Sequence, residues 1–179
     1  MTAHHDASRQ LHVIYERISA RSEAIAGARP AWPCRKGCDN CCRRLASAPE
    51  LTAAEWEPLW RHVAALDASA RRAIRRGVEE LARELAAGAP QVTCPLLDRE
   101  AGTCRVYAVR PAACRMYGFY VSRGDGMYCD RVQAGVDAGA YDDVVWGNHD
   151  AVERDLERAF GPRVSLLDWL VAHPEPDDT

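Results

Sequence analysis

Eight cysteines carry most of the chemistry this sequence can offer. Four of them, Cys34, Cys38, Cys41 and Cys42, crowd the segment CRKGCDNCCR in the pattern C-x3-C-x2-C-C. The other four, Cys94, Cys104, Cys114 and Cys129, are spread among glycines, prolines and aromatics further on. Dense thiols pair as disulfides, act as nucleophiles or redox couples, or bind a metal as thiolates. Bridging Cys41 to Cys42 would strain the chain, because sequence neighbours sit only about 3.8 Å apart at Cα and a normal bridge needs more. The N-terminal stretch MTAHHDASRQLHV lacks the apolar core of an export signal. A cytoplasmic, reducing compartment is therefore expected, and there an even set of cysteines reads as metal ligands rather than staples.

All eight cysteines are candidate ligands. If the first segment is locally helical, its four sulfurs point to one side. The ion expected is zinc, or iron in an iron–sulfur cluster, with [4Fe–4S] the form expected if the metal is iron. Neighbouring Cys41 and Cys42 are expected to serve different metals, or to leave one as a spare or bridging ligand. Eight thiols match two four-cysteine sites or one cluster with extra thiols, and the spacing leaves both open. Arg35, Lys36, Arg43 and Arg44 flank the first group, and Arg105, Arg110 and Arg115 the second. Such cations favour thiolates; Arg110 and Arg115 are expected to stand behind the ligands as charge partners. Of the histidines, only His149, with Asp150 beside it, is a candidate extra ligand.

The elements that must position these side chains are mostly helices. Leu11, Ile14, Ile18 and Ile25 make one stripe of a helix over 6–27, stopped by Gly27 and Pro30. Residues 30–44 read as a loop or short helical turns. Thr52 and Glu55 form a capping box, with Leu51 and Trp56 as its staple, for a helix continued by Leu59, Trp60, Val63 and Leu66 despite Pro58. A third helix runs from Asp67 or Ser69 to Ala87, with Ile74, Val78, Leu81 and Leu85 on its apolar face and Gly88 after its end. From 91 to 131 the helical period disappears, save for a hairpin in GFYVSRGDGMYC with Gly124, Asp125 and Gly126 at the turn. Asp142 or Asp143 should start a helix carrying Val145, Trp146, Val152, Leu156 and Phe160, ended by Gly161-Pro162. Ser165 and Asp168 cap a last short helix, LLDWLVA, and the PEPDDT tail is expected to be disordered. Trp146 and Trp169 are expected as core anchors, and Tyr107, Tyr117, Tyr120 and Tyr128 as packing around the second cysteine group.

The order of segments adds a resemblance. C34-x3-C38-x2-C41-C42, then C94PLLD, G102TC104RVY107, R110PAAC114R and Cys129, resembles the YkgJ-like cysteine-cluster family, described as a zinc- or iron-chelating domain with a CxxCxxCC signature. The match covers roughly residues 34–130, and the terminal SLLDWL is similar to tails in that family. The first gap here is three residues where the signature has two. The resemblance implies metal binding by these cysteines. A similar cluster in flagellin lysine methylases implies an iron–sulfur enzyme, or an accessory protein of protein lysine methylation, as an alternative.

Other classes receive less support. The formal net charge of -3 gives no reason to expect nucleic acid as partner. No stretch approaches the roughly 20 apolar residues of a membrane span. A nucleotide site lacks both G-x-G-x-x-G and the P-loop, and no nucleophile elbow is present. C-x3-C-x2-C is the cluster spacing of radical S-adenosylmethionine enzymes, but the βαβ alternation of their barrel is missing. Thiol-based metal trafficking stays open, since vicinal thiols bind and exchange soft ions. The expectation is thus a mainly α protein: one small helical domain over 1–179, with flanks at 6–27 and 143–172, two irregular cysteine-rich metal-binding segments and a short β-hairpin. Its expected partner is a metal ion or cluster.

Overall fold

The computed structural model describes residues 2–173; the PEPDDT tail lies outside the described residues. The elements in order are α1 (Thr2–Gly27), α2 (Asn40–Arg43), β1 (Glu50–Leu51), α3 (Ala53–Ala64), α4 (Ala68–Ala86), β2 (Leu97–Asp98), β3 (Thr103–Cys104), a 3-10 turn (Tyr107–Val109), α5 (Ala112–Met116), β4 (Tyr120–Ser122), β5 (Asp125–Met127), α6 (Asp130–Asp137), β6 (Gly147–Asn148), α7 (His149–Phe160), β7 (Val164–Ser165) and α8 (Leu166–Ala172). The protein is mainly α, and its strands are two or three residues long. No helix among the described residues is long and apolar enough to cross a membrane. The chain divides into two compact units, one of Met1–Cys38 with Ala112–Pro162, the other of Asp39–Pro111 with Arg163–Thr179.

In the first unit, α1 buries Leu11, Ile14, Ile18 and Ile25, the stripe its periodicity dictates. It packs on α5, α7 and β6. Beside it lies a three-stranded sheet in the order β5-β4-β6, with β4 antiparallel to β5 and parallel to β6. Trp32 fills the second core of this unit, its ring 5.8 Å from Phe119, 4.6 Å from Tyr141 and 5.7 Å from Trp146. Two expectations are corrected here. The hairpin turn lies at Arg123 and Gly124, both at positive φ, while Asp125 and Gly126 pair with Ser122 and Val121. Two successive residues with positive φ match the twist of the flanking strands. The helix expected from Asp142 or Asp143 begins at His149, because Gly147 and Asn148 are drawn into the sheet and the Asn148 side chain then caps the Ala151 amide at 2.9 Å. Val145 is left exposed and Trp146 half-buried ahead of the helix. Helix α5 lies within the 91–131 segment that shows no helical period, and α6 follows at its end; the sequence reading placed neither.

In the second unit, the capping box stands as read. The buried Glu55 carboxylate accepts from the Thr52 amide at 2.9 Å and the Thr52 hydroxyl at 3.1 Å. Leu51 and Trp56 join Leu59, Val63, Ile74, Leu96, Leu97, Val106, Leu166 and Leu170 in one core. Trp56 is stacked between Trp60 and Trp169, each 5.4 Å away, and the Trp169 indole donates to the Leu51 carbonyl at 3.2 Å. Trp169 is therefore an anchor at the edge, and the buried centre is Trp56. Glycine at position 77 lets α4 approach closely: a Cβ there would lie 3.0 Å from the Pro95 Cα. That approach seats the segment that carries Cys94 against the helix.

Candidate metal centre

The two units divide the cysteines four and four. Cys34, Cys38, Cys114 and Cys129 belong to the first; Cys41, Cys42, Cys94 and Cys104 belong to the second. All eight are free thiols. The 34–42 segment is not one helix. Only Asn40–Arg43 is helical, and Gly37 at φ +88 precedes it, so Cys34 and Cys38 do not continue the face that Cys41 and Cys42 occupy.

The second-unit set is assembled by backbone hydrogen bonds. Leu45 and Val92 form an antiparallel bridge with bonds of 2.9 and 2.8 Å, and the Cys94 amide donates to the Cys42 carbonyl at 2.7 Å. Cys104 sits on β3, opposite Leu97 of β2, three residues after Cys94. Cys42, Cys94 and Cys104 pack on the same apolar core. The Cys41 and Cys42 sulfurs are 3.9 Å apart.

Electrostatics separate these thiols. The hydrogen bond to Cys42 draws the Cys41 thiol down from its ordinary 9.0 to about 7, with backbone bonds and the Arg110 charge assisting. Burial pushes Cys94 up to about 12, and the negative charges of Cys104 and Cys41 would push further. Cys104 is also raised, chiefly by burial, against a lowering pull from Arg110. Of the flanking cations, Arg110 acts on this set, with its guanidinium 3.9 Å over the Tyr107 ring. Arg43 instead binds Asp39 at 2.5 Å and the Arg99 carbonyl at 2.9 Å, and Arg105 pairs with Asp98 at 3.1 Å.

In the first unit, the Cys34 thiol donates to the Tyr117 carbonyl at 3.6 Å. Gly118, at φ +91, lies directly beneath it: a Cβ there would meet the Cys34 sulfur at 2.3 Å. Cys129, the residue before α6, packs with Cys34 on the Trp32 core. Cys38 is half-buried in the loop, and Cys114 on α5 is exposed. The Arg115 guanidinium lies 4.2 Å over the Tyr15 ring. Gly118 is the site residue the sequence reading missed; glycine in the motif-rich segment RMYGFY was its only signal.

The second-unit donors fit a thiophilic ion in chemistry. The 3.9 Å between the Cys41 and Cys42 sulfurs is close to the edge, about 3.8 Å, of a tetrahedron of sulfurs around zinc. Adjacency therefore does not force these two cysteines onto different ions. A thiol as enclosed as Cys94, with its value pushed up to about 12, keeps its proton at neutral pH unless a cation joins it. The sulfurs are not drawn together to metal spacing: no three lie mutually within 4.8 Å, so binding involves rotation of side chains. The one group of three or more donors among the described residues that meets that spacing is His149, Asp150 and Glu153.

No curated protein and no solved structure matches the chain. A family model does match: it bears the name CxxCxxCC and the description "Putative zinc- or iron-chelating domain", and it aligns with residues 33–135. That span is more than half of the 179 residues and contains all eight cysteines. The chain belongs to the CxxCxxCC family.

Proposed function

We propose that this protein binds zinc or iron through cysteine thiolates, with Cys41, Cys42, Cys94 and Cys104 as one ligand set and Cys34, Cys38, Cys114 and Cys129 as a second. The observation that carries the reading is Cys94, a buried thiol beside Cys104 and Cys41 with the Arg110 charge acting on the same group. Four soft donors gathered against an apolar core suit a thiophilic ion. The close Cys41–Cys42 pair favours a single tetrahedral ion at the second-unit set. In a [4Fe–4S] cluster each cysteine holds a different iron, which spreads the sulfurs apart.

The test is purification without oxygen, followed by elemental analysis and an absorption spectrum. Colourless protein with zinc supports the tetrahedral site. Iron with acid-labile sulfide and a broad visible band supports the cluster. Folded protein that carries neither metal ends the reading. The exposure of Cys114 favours a second role, exchange of metal with another thiol carrier. Rapid release of metal from the first-unit set to a competing thiol, with the second-unit set retained, supports that role.

A further inference from the structure

At the start of α7, away from every cysteine in sequence, His149, Asp150 and Glu153 bring one donor atom each to within 4.8 Å of the others. His149 is buried, at 7% exposure. Its Nε2 lies 3.4 Å from Glu153 Oε1, and its Nδ1 lies 3.8 Å from Asp150 Oδ1. Both distances exceed a good N–H···O bond, and the buried Nδ1 has no hydrogen-bond partner. An imidazole in such a place is costly unless something else satisfies it. A protonated ring would leave two donors poorly met, and a neutral ring leaves one nitrogen lone pair aimed among carboxylates.

Asp150 is held for this arrangement, and Glu153 is placed beside His149 by the helix. The pairing of β6 with β4 brings Ser122 to the start of α7, and the Ser122 hydroxyl donates to Asp150 Oδ1 at 2.6 Å. That bond, with the Arg123 amide, holds the Asp150 carboxyl below its usual range. Glu153 follows His149 by one helical turn, so their side chains share a face. The Asp150 and Glu153 side chains are 26% and 21% exposed, so both carboxylates are in partial contact with solvent.

We infer that His149, Asp150 and Glu153 form a second kind of metal site, a nitrogen–oxygen site for a divalent first-row transition ion of the zinc class. Imidazole with carboxylates suits such ions, and three protein donors leave a position for water. The site is independent of the cysteines, so it stands or falls apart from the thiolate reading.

The experiment titrates the protein as isolated, with its cysteine sites in their native state, with Co2+ in the absence of oxygen. One Co2+ per chain should bind with weak visible bands and no sulfur-to-cobalt charge-transfer band. That spectrum separates it from any ion taken by thiolates. His149→Gln and Glu153→Gln should each weaken this ion about tenfold or more, while Glu157→Gln, on the same helix, should not. Circular dichroism of each variant without Co2+ reports whether α7 is intact, and Glu153→Gln decides should His149→Gln fail to fold. Wild-type protein that takes up no nitrogen–oxygen-bound Co2+ overturns the inference. So does an undiminished affinity in Glu153→Gln, or an equal loss in Glu157→Gln, the mark of an unspecific acidic surface.

Discussion

The Cys94 amide donates to the Cys42 carbonyl at 2.7 Å, the last bond of a short ladder that begins at Leu45 and Val92. This ties the vicinal cysteines to the segment that carries the most buried thiol of the protein. The backbone, rather than the side chains, thus fixes which cysteines are neighbours.

Replacement of Cys94 tests that arrangement. Cys94→Ser should lower bound metal by about half and lower the melting temperature, because a site that binds only the folded chain contributes its binding free energy to folding. Cys38→Ser should remove the other half. Elemental analysis and calorimetry read both; full metal content in Cys94→Ser takes Cys94 out of the ligand set.

The metal-free protein should show a bell in stability against pH. Cys41 has a folded value near 7, below its ordinary 9.0, so its contribution is fully present above pH 9 and is lost as pH falls through about 7. Cys94 has the opposite sign: raised to about 12, its contribution is present below its ordinary 9.0 and is lost as pH climbs toward 12. Urea midpoints should rise from pH 7 to 9 and fall beyond it. Cys41→Ala should flatten the rise and Cys94→Ala the fall. Alkylation of Cys41 should be half-maximal near pH 7 and be blocked by bound metal.

Arg110 stabilises thiolate charge on Cys41 and Cys104 from its seat over Tyr107. Arg110→Ala should weaken metal binding by about ten- to a hundredfold, with Arg110→Lys recovering part of the loss. Competition with a chelator measures this. Arg43→Ala is the contrast: its partners are Asp39 and the Arg99 carbonyl, so affinity should change little.

Gly118→Ala should disturb the first unit. The residue would need a left-handed backbone, and its Cβ would overlap the Cys34 sulfur. A destabilisation of about 1–3 kcal/mol is expected from the backbone alone, together with loss of metal from the Cys34 set. Denaturant unfolding and metal analysis check the two effects; a stability loss with wild-type metal content would show that Cys34 is free to swing away, and wild-type stability would overturn the backbone argument.

Helices α1, α3, α4 and α8 were legible because each is specified locally. The stripe of α1, the Thr52–Glu55 box and the end of α4 at Gly88 depend on residues within a turn or two of one another. The short paired segments were not. Glu50–Leu51 pairs with Val164–Ser165, and Tyr120–Val121 with Gly147–Asn148, across long separations in sequence. Two-residue strands carry too little alternation to announce themselves. The misplaced start of α7 has the same origin: Val145 and Trp146 fit a helical stripe, but the pairing of Gly147 with Tyr120 claims the backbone first.

The sequence by itself determined the candidate donors, eight thiols in an ordered set of segments, and with them the family, whose model is described as zinc- or iron-chelating. Residue type and chain order decide ligand chemistry, and neither needs a fold. Only the tertiary structure decided the grouping: Cys41 and Cys42 with Cys94 and Cys104, and Cys34 with Cys129. It alone also buried His149 between two carboxylates and chose Arg110 from among the flanking cations. These are facts of long-range hydrogen bonding and desolvation, set by which distant backbones pair and which side chains lose water, and no local spacing encodes them.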